Sequence, residues 1–343
     1  MYNAVADLGV SIPVLAAPMA GGPTTPRLVI AAAAAGGLGL LAGGYKTAEA
    51  LEKQISEVRA ASVPFGVNLF APNPVPVDHA AFRGYARALQ PEADRYGLDL
   101  AEVTVTEDDD HWRDKIDLLL ATPVPLASFT FGIPDQGVIS ALRAAGTLVV
   151  QTVTSADEAV RATDAGVDAL AVQASAAGGH SGTLTPDRVP PATPINQLLV
   201  EVAQVTDLPL IAAGGLATGD AVADALHAGA VAAMVGTVLL RSDESGTSKP
   251  HQDALIDPAR DRTLVTRAFT GRPARALCNE FTDRYHHLAP AGYPALHHLT
   301  GPLRRAAAAA GDPERINLWA GAGYRYASAE PAGRILTRLT KNL

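Results

Sequence analysis

The sequence predicts an α/β protein built on a (β/α)8 TIM barrel, with an inserted segment after strand three and a helical cap after strand eight. Helical segments repeatedly end at an Ala-Gly turn that leads into a short apolar strand. The strands are continuous apolar runs, which is typical of a parallel sheet covered by helices. Eight such strands fall between residues 14 and 236, which suits a TIM barrel. A doubly wound sheet is the alternative, but it rarely needs eight regular units.

The elements follow each other in a regular order. The predicted strands are Val14–Met19, Leu38–Ala42, Phe65–Leu69, Leu126–Phe131, Leu148–Thr152, Ala169–Gln173, Pro209–Ala213 and Ala232–Gly236. The predicted helices are Pro26–Ala35, Thr47–Ala60, Gln136–Ala145, Ser155–Ala165, Ile195–Gln204 and Thr218–Ala228. Several helices begin at a Ser or Thr that can cap the first turn, and Ser155 with Glu158 forms a capping-box pattern.

Two stretches interrupt this rhythm and define the predicted domains. We expect residues 1–243 to form the barrel with an insertion at 71–122, residues 244–315 to form a mainly helical cap over its mouth, and residues 316–343 to return to the barrel wall through a helix at Ala332–Leu343. The insertion contains an acidic run, Glu107–Asp110. We interpret it as a solvated helix start, since adjacent carboxylates rarely converge on one metal ion.

Composition narrows the class of protein. The net charge of −8 argues against broad nucleic-acid binding and favours a small-molecule ligand. A single cysteine, Cys278, excludes an intrachain disulfide and sites built from several cysteines, and we expect it to be a packing residue. Met1–Gly9 lacks the basic start of a signal peptide, and the apolar run Leu28–Ala42 is too broken to span a membrane. We therefore expect a cytoplasmic protein, with homodimerisation left open.

The last two predicted strands end in turns that suit a phosphate. Gly214 and Gly215 follow strand seven before a helix begins, and strand eight ends at Met234, Val235, Gly236 and Thr237. Loops at these positions of a barrel commonly hold a phosphate with backbone N–H groups, and a helix N-terminus adds partial positive charge. We predict a mononucleotide or sugar phosphate here, and plain tight turns are the alternative.

Other strand ends offer room and polar groups for a flat ring. Strand one ends at Ala17, Pro18 and Met19, where small neighbours leave space beside the backbone. Asn68 ends strand three and could either cap a turn or bind a ring edge. Gln173 ends strand six inside an apolar run. A buried amide needs several hydrogen-bond partners, and a heterocycle would supply them.

His180 is the predicted catalytic residue. It follows strand six through a turn at Gly178 and Gly179, and its ordinary pKa suits proton abstraction near neutral pH. The pairs His286-His287 and His297-His298 match no standard zinc pattern, so no metal site is predicted. The remaining histidines, His79, His111, His227 and His251, have no supporting context.

Together these motifs resemble the bacterial nitronate monooxygenases, formerly called 2-nitropropane dioxygenases, which are FMN-dependent TIM-barrel enzymes. The similarity spans nearly the whole chain and rests on the motifs at residues 17–19, 66–68, 173–182, 213–215, 236–237, 271–275 and 318–321. Relatives usually carry Glu at Ala176, many carry Gln at Ala322, and an apolar residue is common at Lys46. These departures concern the substrate side more than the FMN side.

The resemblance implies a role for each candidate residue. Asn68 and Gln173 would contact the isoalloxazine ring of FMN, while Gly178, Gly215 and residues 234–237 would hold its ribityl and phosphate parts. His180 would lie near flavin N5 and the substrate α-carbon. It would act as a base toward a neutral nitroalkane, and only orient or electrostatically assist a preformed nitronate. FMN itself would supply the redox chemistry.

The implied reaction is oxidation of alkyl nitronates, such as propionate 3-nitronate, by O2 to a carbonyl compound and nitrite. The alternative is an NAD(P)H-dependent FMN reductase of the enoyl-acyl-carrier-protein or quinone type. Enoyl reductases share the Gly-Gly-His turn but typically carry an acidic residue at the position of Gln173, which favours the monooxygenase. A non-catalytic flavin-binding barrel is a third reading, against which His180 argues.

Overall fold

The computed structural model describes residues 8–341 and residue 343, so the segment 1–7, on which the signal-peptide prediction partly rests, lies outside it. Eight parallel strands close into a barrel, as predicted, in the order β1-β2-β3-β4-β5-β6-β8-β9. The barrel strands are β1 Val14–Ala16, β2 Leu38–Ala42, β3 Phe65–Ala71, β4 Leu126–Phe131, β5 Leu148–Val153, β6 Ala169–Gln173, β8 Leu210–Ala213 and β9 Ala232–Val235. The remaining strands are β7 Gly179–His180, β10 Thr263–Thr266 and β11 Ala274–Leu277.

Helices surround the barrel and build the insertion and the cap. They are α1 Pro26–Ala34, α2 Ala48–Ala60, α3 His79–Asp94, α4 Trp112–Ala121, α5 Gln136–Ala144, α6 Ala156–Ala165, α7 Ile195–Ala203, α8 Gly219–His227, α9 Lys249–Ala254, α10 Glu280–Tyr285, α11 Ala295–Ala309 and α12 Ala332–Leu339. The helix predicted to run to Leu343 ends at Leu339, and Asn342 lies outside the described residues. None of the helices in the described part is long and apolar enough for a membrane crossing.

The Ala-Gly turns behave as predicted. Gly36, Gly146, Gly166 and Gly229 each adopt a positive φ between +85° and +105° just after a helix. Glycine tolerates this left-handed conformation, so each helix ends and the chain turns directly into the next strand.

The first strand is shorter than predicted. It ends at Ala16, although we expected it to reach Met19. Pro18 has no N–H group and cannot continue the ladder. The N–H of Met19 instead donates to Thr24 Oγ1 at 2.8 Å. This leaves residues 17–19 as an irregular segment over the barrel mouth.

The barrel is filled unevenly along its axis. Leu15, Leu40, Leu126 and Ile211 belong to an apolar cluster inside it, and a larger core lies between the strands and the helices. The carboxyl end of the barrel is polar instead, with Asn68 among the side chains there. Ligand sites in TIM barrels lie at this end, so the packing already marks where a ligand can enter.

The cap contains a sheet that the sequence did not predict. We expected residues 244–315 to be mainly helical, but β10 and β11 form an antiparallel hairpin there, and β11 also pairs with β7. The register places Ala274 opposite His180. The cap is therefore hydrogen-bonded to the loop that carries the predicted catalytic residue. A second apolar core joins α3 of the insertion to α10 and α11 of the cap.

Two local interpretations need correction. In the acidic run, Glu107, Asp108 and Asp109 are exposed just before α4, as expected of a solvated helix start. Asp110 differs: its carboxylate pairs with the buried Lys115 amine at 2.7 Å, and it accepts a hydrogen bond from Tyr45 N at 2.8 Å. The capping box at Ser155 is only half formed. Ser155 Oγ accepts from Glu158 N, but the Glu158 carboxylate accepts from Thr154 and from residues 183–184, because it is buried beneath that loop.

Candidate active site

One large cavity of about 500 Å³ lies between the carboxyl end of the barrel and the cap. Its wall is formed by strand ends, by the loops that follow them and by one face of α11. Every predicted site residue lines this cavity: Ala17, Pro18, Met19, Asn68, Gln173, Gly178, Gly179, His180, Gly214, Gly215, Met234, Val235, Gly236 and Thr237. The sequence therefore identified residues at the ends of five barrel strands that the fold brings to one place.

At one end of the cavity the wall is formed by the backbone of Gly214, Gly215 and Thr237, which we call the cradle. Gly214 and Gly215 have φ values of +101° and +81°, which orient the turn after β8. No hydrogen bond within the described residues uses the N–H groups of Gly215 or Thr237. The turn leads into α8, whose N-cap is Thr218. Unpaired N–H groups beside a helix N-terminus attract an anion.

Gly178 brings the loop after β6 against this cradle. A Cβ atom at Gly178 would lie 2.5 Å from Gly321 N and 2.9 Å from Thr237 Oγ1. Thr237 Oγ1 also accepts a hydrogen bond from Gly321 N at 2.9 Å. Only glycine fits at 178, because any side chain would force these segments apart.

The two positions where relatives usually carry Glu and Gln lie side by side. Ala322 N donates to Ala176 O at 3.0 Å, so the departures Ala176 and Ala322 are neighbours in space. Both residues lie in segments of small side chains next to the cradle.

A row of polar side chains lies at the mouth of the barrel. The Asn68 amide nitrogen donates to Ser128 O, Ser128 Oγ and Thr130 Oγ1 at 2.9 to 3.2 Å. Thr130 Oγ1 and Thr152 Oγ1 are 3.2 Å apart. These bonds fix the Asn68 side chain and do not use its Oδ1, which can therefore accept from a ligand N–H. The turn-capping alternative for Asn68 finds no support in these contacts.

Gln173 holds the loop that carries His180. Its Nε2 donates to His180 O at 3.2 Å and its Oε1 accepts from Gly182 N at 2.7 Å. Part of the hydrogen-bonding capacity that we assigned to a ligand is therefore used by backbone. One N–H of the amide and one lone pair remain for a ligand at the cavity wall.

His180 lies in β7 among aromatic rings. Its ring centroid is 5.6 Å from that of Phe131, 5.9 Å from Tyr293 and 5.3 Å from Trp319. Its Nε2 is 2.9 Å from Thr270 Oγ1. The ring is thus held by one hydroxyl and three aromatic contacts at the edge of the cavity.

The pKa of His180 differs from our expectation. Burial, together with the positive charges of Arg272 and Arg304, lowers the pKa of the His180 imidazole to about 3. We expected an ordinary pKa near neutrality, and that expectation was wrong because it ignored the cap. The ring is neutral at pH 7 and can accept a proton, but only as a weak base unless an anion binds beside it.

Two arginines of the cap give the cavity a positive charge. The Arg304 guanidinium contacts Thr300, Asn317 and His297 through hydrogen bonds of 3.0 to 3.2 Å. No carboxylate in the described part of the chain pairs with it, although burial lowers its pKa only to about 10. Arg272 is fully buried and lies 3.9 Å above the Phe131 ring centroid. Both arginines are cationic at pH 7.

Several of these wall residues were missed from the sequence. Tyr45 stacks on His297 with centroids 4.2 Å apart and planes within 4°. Burial lowers the pKa of His297 to about 2, so this ring is neutral. His251, which we gave no context, also lines the cavity. Among residues 8–341 and 343, no cluster of three or more His, Cys, Asp or Glu side chains could hold a metal ion.

Comparisons with known proteins identify one family that matches nearly the whole chain. The sequence model of the family described as "Nitronate monooxygenase" matches residues 4–342. A protein named "Probable nitronate monooxygenase" from Staphylococcus aureus (strain Newman) is 36% identical over 98% of this chain and 95% of its own length. Among solved structures, nitroalkane oxidase from Streptomyces ansochromogenes is 44% identical, with a TM-score of 0.91 over 98% of this chain and 96% of that one. FabK from Thermotoga maritima is 27% identical with a TM-score of 0.76, over 99% and 96% of the two chains.

Proposed function

Because this chain belongs to the nitronate monooxygenase family, we propose that it binds FMN in the cavity and oxidises alkyl nitronates with O2. The products are a carbonyl compound and nitrite, and propionate 3-nitronate is a representative substrate. The family supports oxidation of nitronates or nitroalkanes. The cofactor, the oxidant, the products and the residue roles are our proposal.

The cavity fits a mononucleotide with a flat ring. At one end, the unpaired N–H groups of Gly215 and Thr237 suit a phosphate, and Gly178 keeps side chains away from it. From there the cavity extends past residues 17–19 to the amide of Asn68, which can bind a ring edge. When bound, FMN supplies the redox chemistry, and the protein supplies binding and orientation.

The positive charge of Arg304 is the main reason to propose an anionic substrate. A cationic guanidinium without a carboxylate partner lines the cavity, and Arg272 adds a second positive charge near His180. An anion that enters the cavity gains from both charges, and more strongly than in water because the site is shielded from solvent. A nitronate is such an anion, whereas a neutral nitroalkane is not.

The residues around the ring have separable tasks. His180, neutral at pH 7, orients a bound nitronate and can accept a proton from a neutral nitroalkane. Arg304 and Arg272 stabilise negative charge on the nitro group in either case. Phe131, Tyr293 and Trp319 exclude water from the substrate side and fix the His180 ring.

The proposal is tested by anaerobic mixing of the purified, FMN-loaded protein with propionate 3-nitronate or with NADH. We expect the nitronate to reduce the flavin and change its visible absorbance, and NADH to leave the spectrum unchanged. In air, nitrite should accumulate with the nitronate alone. Reduction by NADH but not by nitronate would favour the enoyl or quinone reductase alternative. A protein that shows no flavin spectrum after reconstitution would contradict both enzymatic readings.

A further inference from the structure

The strongest unassigned feature of the site is a buried hydroxyl on the cap that touches His180. Thr270 is only 1% exposed, and its Oγ1 lies 2.9 Å from His180 Nε2. Thr270 lies between β10 and β11, and it reaches His180 because β11 pairs with β7. Among the described residues, Thr270 of the cap is the only side chain that shares a hydrogen bond with the His180 ring.

The direction of this hydrogen bond follows from counting donors and acceptors. A threonine hydroxyl has one proton and two lone pairs. Thr270 Oγ1 lies 3.4 Å from Arg272 O, to which it can donate, and 3.4 Å from Arg272 N, from which it accepts. With the hydroxyl proton directed at Arg272 O, one lone pair of Thr270 Oγ1 remains for His180, and the imidazole is then the donor in the 2.9 Å contact. We infer that Thr270 is a positioning residue that holds His180 protonated at Nε2 and leaves Nδ1 with its lone pair for the substrate.

Thr270 is itself rigidly placed. The N–H groups of Thr270 and Gly271 both donate to Arg267 O, at 3.2 and 2.8 Å. Gly271 has a φ of +77°, and a Cβ atom there would lie 2.5 Å from Gly292 O. The turn therefore admits only glycine at 271 and holds the preceding hydroxyl in place. A rigid partner is what fixes a tautomer, as the carboxylate does in serine hydrolases.

The consequence for catalysis depends on the substrate and rests on the proposed function. With a neutral nitroalkane, the α-proton moves to Nδ1 and the C–H electron pair moves into the nitro group, which forms the nitronate. This step requires the lone pair on Nδ1. A preformed nitronate has already lost the α-proton, so its oxidation does not require the lone pair on Nδ1. Thr270 should therefore matter for neutral nitroalkanes and matter little for nitronates.

The direct test is ¹⁵N NMR of protein labelled in its histidines, with and without FMN. The signals of His180 are identified by their absence in a His180→Gln variant. We expect His180 to be the Nε2–H tautomer in the unsubstituted protein and in Thr270→Ser, and a mixture of tautomers in Thr270→Val. The Nδ1–H tautomer in the unsubstituted protein would overturn the inference, whether or not the Thr270 variants fold.

Kinetics with two substrates add a second readout. We expect Thr270→Val to lower kcat on neutral nitroethane by ~100-fold, the scale of general-base catalysis, and to change kcat on ethyl nitronate by less than ~3-fold. Thr270→Ser should restore the nitroethane rate. Thr266→Val is the matched control, because Thr266 is a buried threonine of the same hairpin whose hydroxyl accepts from Ala268 N. It should leave the ratio of the two rates unchanged.

The outcomes separate this inference from the proposed function. Equal losses on both substrates in Thr270→Val would mean that Thr270 is merely structural. If the unsubstituted protein oxidises neither substrate while NMR shows the Nε2–H tautomer, the proposed function fails and the assignment of Thr270 stands.

Discussion

Arg304 illustrates why some residues of the site could not be predicted from the sequence. It belongs to the segment Arg304-Arg305 followed by a run of alanines in α11, a pattern typical of a solvated helix face. The fold instead turns Arg304 toward the cavity, against Thr300, Asn317 and His297. Thr270 and Tyr45 were missed for the same reason. Their contacts join distant parts of the chain and produce no local sequence pattern.

The charge of Arg304 predicts a defect in substrate binding. We expect Arg304→Ala to raise KM for propionate 3-nitronate by about 10- to 100-fold, because a hydrogen bond to a charged group contributes ~1.5–3 kcal/mol. Arg304→Lys should recover part of this loss. Steady-state oxygen consumption measures the effect, with Arg334→Ala on the exposed side of α12 as the control. An unchanged KM in Arg304→Ala would remove Arg304 from the substrate site.

The pKa of His180 predicts a flat titration. Because burial and two arginines lower this pKa to about 3, the ring should stay neutral throughout the range from pH 5 to 9 in the ligand-free protein. Histidine NMR signals followed against pH provide the measurement. A His180 midpoint near pH 6.5 would show that Arg272 and Arg304 do not act on it as described.

At the scale of elements, the barrel was predictable because its signals are local. The strands are largely apolar runs, and the helices before β2, β5, β6 and β9 end at a glycine with positive φ. All eight barrel strands were found within a few residues of their observed ends. The sheet of β7, β10 and β11 was not predicted, because its strands are short, contain Gly, His and Arg, and because β7 pairs with β11 from about 90 residues away.

The same locality explains why the candidate site residues could be placed at one end of the barrel. Residues that directly follow a parallel strand reach the same end of the barrel whatever the helices do, so Asn68, Gln173 and Gly215 could be placed from strand ends alone. Their detailed contacts could not. Gln173 uses its amide on the backbone of residues 180 and 182, a pairing set by the path of the loop.

The contact of the loop after β6 with the cradle predicts a binding defect. We expect Gly178→Ala to weaken FMN binding at least about tenfold, or roughly 1.4 kcal/mol, since its Cβ would displace Gly321 or Thr237. Flavin fluorescence titration gives the affinity. Gly137→Ala in α5, where a Cβ meets nothing within 4 Å, should bind FMN normally. Full affinity in Gly178→Ala would contradict the proposed position of the phosphate.

At the scale of the whole molecule, a buried ion cluster fastens the insertion to the cap. Glu92 of α3 is 2% exposed, and its carboxylate contacts Arg315 at 2.9 Å, Arg95 at 3.2 Å and also Arg284. Burial alone would raise the pKa of Glu92, but the hydrogen bond and charge of Arg315 and the other two arginines outweigh it and lower the pKa. The cluster holds the cap in the place where Thr270 and Arg304 can reach the cavity.

Glu92 therefore predicts a pH-dependent contribution to stability. Glu92→Gln should lower the free energy of unfolding by about 3 kcal/mol at pH 7, because it leaves the buried Arg315 without its buried carboxylate partner. The folded-state pKa is below the unfolded value of about 4.3, so the advantage over Gln exists above that value and is lost as the pH falls through the folded pKa. Urea unfolding from pH 7 to pH 3 measures it.

The matched control is Asp283→Asn, which breaks an exposed pair with Arg262 at 3.0 Å. An exposed pair contributes less than about 1 kcal/mol, so this variant should stay close to the unsubstituted protein. Equal stability of Glu92→Gln and Asp283→Asn at pH 7 would mean that the cluster does not hold the cap.

The central claim is that one cavity holds FMN with its phosphate in the cradle and its ring beside His180. A crystal structure of the FMN complex tests this most directly. We expect the phosphate oxygens within hydrogen-bonding distance of Gly215 N and Thr237 N, and the ring edge at Asn68 Oδ1. An FMN molecule bound outside the cavity, or with its phosphate at Arg304 and its ring in the cradle, would contradict the account.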